Sequence, residues 1–299
     1  MLDFNALPSP ILLRGDAMTA YRDPAAIHHD GQFHLFCTLV ETEASGEWPY
    51  LYTAYSSSRD LVEWSPVERL TVRDRALNFS SPGNVVRFGD EWVLCLQTYP
   101  RPNGEKYGTE QSRVWTMRSR DLATWAEPEL LRVKGDHVVD ADIGRMIDPY
   151  LLEDKDEPGK WWCFYKQNGV SFSHSRDLVH WTYDGRREGG ENACVVVDGD
   201  EYVLFHSEAT GVSVSRSYDL SQWRDEETLM LGVDDWPWAQ GRLTGGFVLD
   251  LRGEPEVGKL VMFFHGSGPE NEETIFDNYA NIGIAWSDDL KTWSWPQGA

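Results

Sequence analysis

Apolar and polar positions along the chain repeat in one order five times. Each repeat has a central apolar run of about strand length, preceded by a turn that contains Gly or Asp and, upstream of that, by another strand-like run. The central runs are 32–37, 92–96, 160–165, 202–206 and 260–264. Short apolar runs bounded by turn residues are typical of strands, so the sequence predicts an all-β protein.

A short signature, Ser-x-Asp-Leu-x-x-Trp, follows each of these units. It occurs at 58–64, 119–125, 175–181, 217–223 and 287–293. Asp favours a tight turn, which we expect to join the third and fourth strands of a small sheet, and Trp supplies a large ring for the seam between neighbouring sheets. Recurrence at this spacing is typical of propellers, so five units predict a five-bladed β-propeller.

The length fits one domain, because all-β propellers and barrels run long as single domains. We expect one catalytic propeller over all 299 residues. Its blades are predicted at about 16–70, 77–131, 143–187, 190–229 and 240–297.

Charge and hydropathy exclude several classes of partner. The net charge of −22 argues against nucleic acid, because binding to phosphates relies on Lys and Arg. No apolar stretch approaches the roughly 18 residues of a membrane span, so no membrane partner is expected. Residues 1–15 lack the features of an export signal, and we expect a cytoplasmic protein.

The cysteines do not form a metal-binding or redox motif. The chain has four, none in a C-x-x-C pair, and three occupy the same place in the central runs. We expect buried free thiols that pack like small apolar groups. These cysteines are Cys37, Cys95, Cys163 and Cys194.

Candidate chemistry lies on the innermost strands, which converge on the axis of a propeller. Asp23-Pro24 in unit one and Asp148-Pro149 in unit three occur in equivalent register, and Glu191 begins unit four. Proline lacks an N–H and belongs at a strand's first residue or edge, so we expect each Asp at a strand entrance, pointing toward the axis.

This pattern resembles glycoside hydrolase family 43, in the clan with families 32, 62, 68 and 117. These five-bladed propeller glycosidases have an Asp in blade one, an Asp in blade three and a Glu in blade four. The matching stretches are 22–36, 147–165 and 191–207, and the resemblance extends over about 21–293.

The resemblance implies an enzyme that hydrolyses glycosidic bonds of oligosaccharides, exo-acting and inverting, on arabinofuranosyl, xylosyl or galactosyl units. It implies Asp23 as general base, Glu191 as general acid, and Asp148 as the residue that raises the pKa of the acid and holds it in place. The family's acid is commonly followed by Gly-Pro, whereas Asn192-Ala193 follows Glu191. The alternatives for the acid are Glu208, Asp140 and Asp142.

No cofactor and no metal ligand set is predicted. The family often places a Gly-His pair in blade five, with the imidazole near a calcium ion in the channel. The matching Gly245-Gly246 has no imidazole, which does not favour a structural calcium.

Six residues are candidates for binding the sugar. Trp236 and Trp238 precede blade five and are expected to stack on a sugar ring. The guanidinium of Arg242 suits sugar hydroxyls or a carboxylate. The other candidates are Arg22, beside Asp23, and Phe79 and Ser81, which stand where many family members have Trp-Ala-Pro.

Three other functions stay open on the sequence. A retaining fructan-type glycosidase would use Asp23 as nucleophile. A propeller phosphorylase would need clustered cations at the mouth, for which Arg22, Arg145 and Arg242 are available. A non-catalytic sugar-binding propeller would keep the aromatic residues but has no need of three carboxylates.

Overall fold

The computed structural model describes residues 2–43, 48–269 and 278–297, and these form a five-bladed β-propeller. The first strand, Ile11–Leu13 (β1), precedes blade one. Blade one contains Thr19–His29 (β2), Gln32–Glu41 (β3), Tyr50–Ser58 (β4) and Glu68–Arg69 (β5). Blade two contains Phe79–Phe88 (β6), Glu91–Thr98 (β7), Val114–Ser119 (β8) and Glu129–Leu130 (β9).

The other three blades repeat this antiparallel order. Blade three contains Ile147–Glu153 (β10), Trp161–Lys166 (β11), Val170–Ser175 (β12) and Trp181–Arg187 (β13). Blade four contains Glu191–Asp198 (β14), Glu201–Ser207 (β15), Val212–Ser217 (β16) and Arg224–Asp225 (β17). Blade five contains Arg242–Asp250 (β18), Leu260–Ser267 (β19), Asn281–Ser287 (β20) and Trp293–Ser294 (β21).

The innermost strands form a closed ring. Strands β2, β6, β10, β14 and β18 contact one another in this order, and β18 returns to β2. Three 3-10 helices occur within the described residues, at Phe4–Ala6, Asp140–Asp142 and Val233–Asp235. Across that same part of the chain, no helix has the length and apolar character needed to cross a membrane. The predicted all-β, five-bladed fold is confirmed.

The N-terminal strand completes blade five. Strand β1 pairs antiparallel with β20, placing Ile11 opposite Gly283 and Leu13 opposite Ile282. The sequence prediction began blade five at about 240 and missed this strand. Blade five is therefore built from both ends of the chain, and its pairing links the first residues of the propeller to the last.

The signature turns join the third and fourth strands, as predicted. In blade one, Oδ1 of Asp60 accepts from the backbone N–H groups of Val62 and Glu63 (both 2.9 Å), and the N–H of Leu61 donates to Oγ of Ser58 (2.9 Å). The buried leucine has a positive φ in every copy, between 58° and 64°. These leucines are Leu61, Leu122, Leu178, Leu220 and Leu290.

The signature tryptophans pack in the seams between blades. Trp125 of blade two meets Phe36 of blade one edge to face, with ring centroids 5.7 Å apart. Trp293 of blade five meets Phe205 of blade four in the same way at 6.5 Å. These two rings therefore fill the space against the second strand of the preceding blade, which is the predicted position.

The turn carboxylates make folding sensitive to acid. Backbone N–H groups of Gln222 and Ser221 lower the pKa of Asp219 to about 2. A lowered pKa in the folded state stabilises the protein above the unfolded-state pKa of about 4, and this stabilisation is lost as the pH falls toward 2.

We expect Asp219→Asn to lower the free energy of unfolding above pH 4, with a deficit that shrinks as the pH falls toward 2. Urea unfolding of wild type and variant between pH 6 and pH 3 measures this. Asp90→Asn, at an exposed hairpin turn, is the control. A deficit that does not change with pH would contradict this role of the carboxylate charge.

Every innermost strand carries a bulge at an equivalent position. The register with the second strand shifts there, and one residue in each bulge has a positive φ. The five residues are Asp23, Ser81, Asp148, Asn192 and Gly245, with φ between 43° and 70°. All five line the narrow central channel, so the bulges set which side chains meet at the axis.

The bulges correct the expected position of Asp23-Pro24, whereas Asp148 stands close to a strand entrance, as the second residue of β10. Asp23 is the fifth residue of β2 and does not stand at the strand entrance. Pro24 and Pro149 follow the bulged Asp directly, where the ladder is interrupted and no N–H is needed. Both aspartates approach the axis as predicted, because the bulge directs their side chains toward it.

The four cysteines are free and buried, as predicted. The N–H of Asn84 donates to Sγ of Cys95 (3.3 Å), and the Cys95 thiol donates to the carbonyl of Pro149 (3.2 Å). Burial raises the pKa of Cys95 to about 12, so this thiol stays neutral. It ties the second strand of blade two to the innermost strand of blade three.

Candidate active site

A cavity lies at one mouth of the channel. The three predicted catalytic carboxylates, those of Asp23, Asp148 and Glu191, all line it. Arg22 and Arg242 line the same cavity. Five of the nine predicted site residues are therefore brought together here.

Asp23 lies between hydrogen-bond donors from other strands. Oγ1 of Thr38 donates to its Oδ2 (2.8 Å), and Nδ2 of Asn192 lies 3.3 Å from its Oδ1. About a fifth of the Asp23 side chain is exposed. A carboxylate held on both oxygens and open to the cavity is suited to accept a proton from a bound water.

Asp148 is buried on the opposite side of the ring. Oγ of Ser81 donates to its Oδ1 (2.6 Å), and the N–H of Asn192 donates to its Oδ2 (3.1 Å). Burial, followed by the negative charges of Glu191 and Asp23, raises the pKa of Asp148 to about 7. At neutral pH this group exchanges a proton readily.

Glu191 is the most open of the three carboxylates. Its side chain is 41 % exposed, and one Oε2 lies 3.6 Å from a guanidinium nitrogen of Arg242. Because Glu191 directly precedes the bulge residue Asn192, its side chain borders the mouth and not the narrow channel. An exposed carboxyl at the mouth is placed to reach a leaving group.

The alternative acids lie elsewhere. Glu208 borders a separate cleft with Arg187, and its Oε1 lies 3.4 Å from Nδ1 of His206. Asp140 and Asp142 are exposed in a 3-10 helix outside the cavity. Of the four candidates for the general acid, Glu191 lines the cavity and the other three do not.

His265 was not predicted as a site residue. It comes from β19, opposite Thr244, and is 1 % exposed. The N–H of Asp23 donates to its Nδ1 (3.0 Å), so Nε2 carries the hydrogen; this Nε2 has no hydrogen-bond partner within residues 2–43, 48–269 and 278–297. Burial and the nearby charges of Arg22 and Arg242 hold the pKa of His265 well below its usual value.

Gly245 gives the imidazole its space. Its φ is +70°, and an added Cβ would lie 2.9 Å from Nδ1 of His265. A side chain at this bulge would therefore be strained and would push the imidazole away from the Asp23 amide. The sequence has no histidine at Gly245-Gly246. His265, on the neighbouring strand β19, places an imidazole beside Gly245 instead.

The imidazole does not fit a calcium site in this form. Its Nδ1 lone pair already accepts from the Asp23 amide, and its Nε2 bears a hydrogen. Among the described residues, no group of three or more His, Cys, Asp or Glu side chains is placed to hold a metal ion. We assign no step of the chemistry to a metal.

The sequence also did not predict three other residues of the site, which are Thr38, Gln97 and Asn192. Oε1 of Gln97 accepts from the N–H of Asp148 (2.7 Å), and Gln97 lines the cavity together with Tyr99. Thr38 and Gln97 sit on second strands, and no local motif marks them. Asn192 had a signal, because Asn tolerates a positive φ and stands in register with the two Asp-Pro pairs.

The two predicted stacking tryptophans pack against blade five. Trp236 is 7 % exposed and stacks on Phe264 with ring centroids 5.6 Å apart. Trp238 stacks on Trp236 at 5.2 Å and on Phe264 at 5.9 Å. Trp236 is therefore buried and is not an exposed sugar platform. Trp238 is half-buried against the same rings, and neither tryptophan lines the cavity that contains the carboxylates.

The two candidates from blade two have different positions. Phe79 is 4 % exposed and meets Trp115 edge to face, so the structure places it in the core. Ser81 lies in the channel and donates to Asp148, which makes it a partner of a carboxylate. Neither position matches the predicted contact with a sugar.

No protein-family model matches the sequence, and no curated protein matches it. Solved structures match over nearly the whole chain. The catalytic domain of a GH62 α-L-arabinofuranosidase from Coprinopsis cinerea aligns with a TM-score of 0.66 at 16 % identity, covering 94 % of this chain and 96 % of that chain.

A family 117 glycoside hydrolase from Zobellia galactanivorans, Zg3597, aligns with a TM-score of 0.65 at 14 % identity, covering 90 % and 86 %. A GH43_1 enzyme from Xanthomonas citri, solved with xylotriose, aligns with a TM-score of 0.59 at 12 % identity, covering 96 % and 94 %. The fold is that of the five-bladed propeller glycosidases. The resemblance drawn from the sequence is confirmed at the level of the fold.

Proposed function

We propose that this protein is a glycoside hydrolase that cleaves oligosaccharides from the chain end with inversion of configuration. The observation that carries the proposal is the meeting of Asp23, Asp148 and Glu191 in one cavity at the mouth of the channel. Inverting hydrolysis needs one carboxylate that activates water and one acid that protonates the leaving oxygen. A sugar-binding module does not require three carboxylates that meet in one cavity.

In the proposed reaction, Asp23 takes a proton from water while the water oxygen bonds to the anomeric carbon. The glycosidic C–O bond breaks, and Glu191 gives its proton to the departing oxygen. Both carboxyl groups recover their starting states by proton exchange with solvent. Asp148 is proposed to hold Glu191 in place and, when Asp148 is itself ionised, to repel a second negative charge on the acid.

Arg242 is proposed to bind sugar hydroxyls. Its ion pair with Glu191, at 3.6 Å, is loose and lies at the open mouth. Hydroxyls that enter the cavity compete for the guanidinium, which releases Glu191 to carry a proton. Tyr99 offers the aromatic surface against which a ring can pack.

The proposed sugar units, and their removal from a chain end, follow the resemblance seen in the sequence. Arabinofuranosyl, xylosyl and galactosyl units are the proposed substrate class. The first two agree with the arabinofuranosidase and the xylotriose complex among the structures that share the fold.

A panel of aryl glycosides tests the proposal. We expect hydrolysis of at least one of the α-L-arabinofuranoside, β-D-xyloside and β-D-galactoside, without added phosphate. Turnover that requires phosphate would identify a phosphorylase, and turnover of a β-D-fructofuranoside would favour the fructan-type alternative. Binding of oligosaccharides without any turnover would favour the sugar-binding propeller.

The role of Glu191 predicts a dependence on the leaving group. Glu191→Ala should reduce cleavage of a poor, alkyl-type leaving group by about 10²–10⁴-fold, because general acid catalysis contributes this much. A dinitrophenyl leaving group needs no proton, so its release should fall far less. Steady-state rates with both substrates measure the difference.

Glu208→Ala is the matched control, because Glu208 lines the separate cleft beside His206. It should leave both rates near those of the wild type. A selective loss with the poor leaving group in Glu208→Ala, and none in Glu191→Ala, would reverse the assignment of the acid.

A further inference from the structure

Asn192 occupies the axial position of blade four. The bulge places it in register with the two aspartates of blades one and three, one residue beyond Glu191. Its φ of 53° is one that Gly adopts without strain and Asn tolerates. Blade four therefore brings an amide, and not a carboxylate, into the ring of channel residues.

This one residue donates to both facing carboxylates. Its side-chain Nδ2 lies 3.3 Å from Oδ1 of Asp23, and its backbone N–H donates to Oδ2 of Asp148 (3.1 Å). In blade two, Ser81 likewise interacts with both carboxylates, with one of them through Thr38. The N–H of Ser81 donates to Thr38 (2.7 Å), which in turn donates to Asp23, and the Ser81 hydroxyl donates to Asp148 (2.6 Å).

Asp23 and Asp148 differ in the hydrogen-bond partners that surround them. Thr38 accepts the Ser81 amide and donates its own hydrogen to Asp23, and the Asn192 amide donates to the other Asp23 oxygen. Asp23 therefore accepts a hydrogen bond on each of its two carboxylate oxygens. The Ser81 hydroxyl beside Asp148 can rotate and accept, so Asp148 can hold a proton without losing a partner.

We propose that Asn192 is a positioning residue that keeps Asp23 ionised and oriented toward the cavity while a proton resides on Asp148. Its catalytic consequence rests on the proposed function, in which Asp23 is the general base. The proposed location of the proton, on Asp148, does not depend on that function.

Asn192→Gly tests this with little risk to folding. Glycine keeps the positive φ and the backbone N–H to Asp148, and it removes only the amide that faces Asp23. Asn168→Gly is the matched control, because Asn168 is exposed in a hairpin turn with the same φ of 53°.

We expect Asn192→Gly to lower kcat by about 10–100-fold, since a hydrogen bond to a charged group is lost, with KM within about twofold. The acid limb of the pH–rate profile should move up by about one pH unit. Asn168→Gly should match the wild type in both. A loss without a shift of the acid limb would mean a purely structural role and would overturn the proposal.

A second readout does not need activity. In protein labelled with ¹³C at the Asp side-chain carboxyls, the Asp23 signal of Asn192→Gly should take up its proton at a higher pH than in the wild type. That shift in a protein that hydrolyses no glycoside would uphold the role of Asn192 and refute the proposed function. An unchanged Asp23 titration would overturn the role of Asn192 whatever the activity.

Discussion

Asp23→Asn should abolish glycoside hydrolysis while the protein still folds and binds oligosaccharide. Asparagine keeps an oxygen that can accept from Thr38, and the Asn192 amide can turn to meet the new amide group. It cannot take a proton from water. Loss of a general base costs about 10²–10⁴-fold, and we expect kcat to fall by about 10³-fold or more.

The measurement is kcat on the best aryl glycoside, together with calorimetric titration of the matching oligosaccharide. Asp30→Asn, at an exposed hairpin turn of the same blade, should behave as wild type in both. Turnover by Asp23→Asn at the wild-type rate would remove Asp23 from the mechanism. Loss of binding and turnover together, with a lowered melting temperature, would assign Asp23 a structural role.

Asp148→Asn should have opposite effects on activity and stability. The folded-state pKa of Asp148 is raised to about 7, whereas an unfolded Asp titrates near 4. A raised pKa means that the stability present below pH 4 is lost as the pH rises toward 7, because the buried carboxyl must then ionise. Asparagine resembles the neutral carboxyl and never ionises.

The variant should therefore gain stability over the wild type as the pH rises from 4 to 7, and the gain should then level off. Three pKa units set an upper bound of about 4 kcal/mol. The introduced amide can accept from the Asn192 N–H and donate to Oγ of Ser81, so the network persists. Above pH 7, where the wild-type carboxyl is ionised, activity should fall by about 10²-fold, since the negative charge proposed to act on Glu191 is absent.

Thermal unfolding between pH 4 and pH 9 measures this difference, and Asp200→Asn, at an exposed hairpin turn, is its control. A variant that is less stable than the wild type at pH 8 would show that Asp148 is ionised and well compensated in the folded protein. Full activity in the variant would show that the Asp148 charge has no part in catalysis.

The fold was predictable because its information is local and repeated. The Ser-x-Asp-Leu-x-x-Trp turn uses hydrogen bonds within six residues, and its Leu and Trp meet the same packing demand in every blade. Strand β1 was not predictable in this way. Its three residues carry no signature, and their pairing with Gly283 and Ile282 joins parts of the chain about 270 residues apart.

The site was predictable where a residue type carried its own conformational signal. Asp-Pro marked Asp23 and Asp148, because proline reports a place in the strand where no N–H is needed. Thr38 and His265 reach the site across strands, and only the register of the sheets reveals them. Trp236 and Trp238 looked exposed because the sequence does not show that their rings stack on Phe264.

The most direct test of the central claim is the configuration of the sugar first released by the wild-type enzyme. Proton NMR at early times, on whichever aryl glycoside is cleaved, distinguishes the two anomers before they equilibrate. Inversion is the expected result, because Asp23 is proposed to activate water and Glu191 to protonate the leaving oxygen in a single displacement. Retention would make Asp23 a nucleophile and contradict the proposed mechanism.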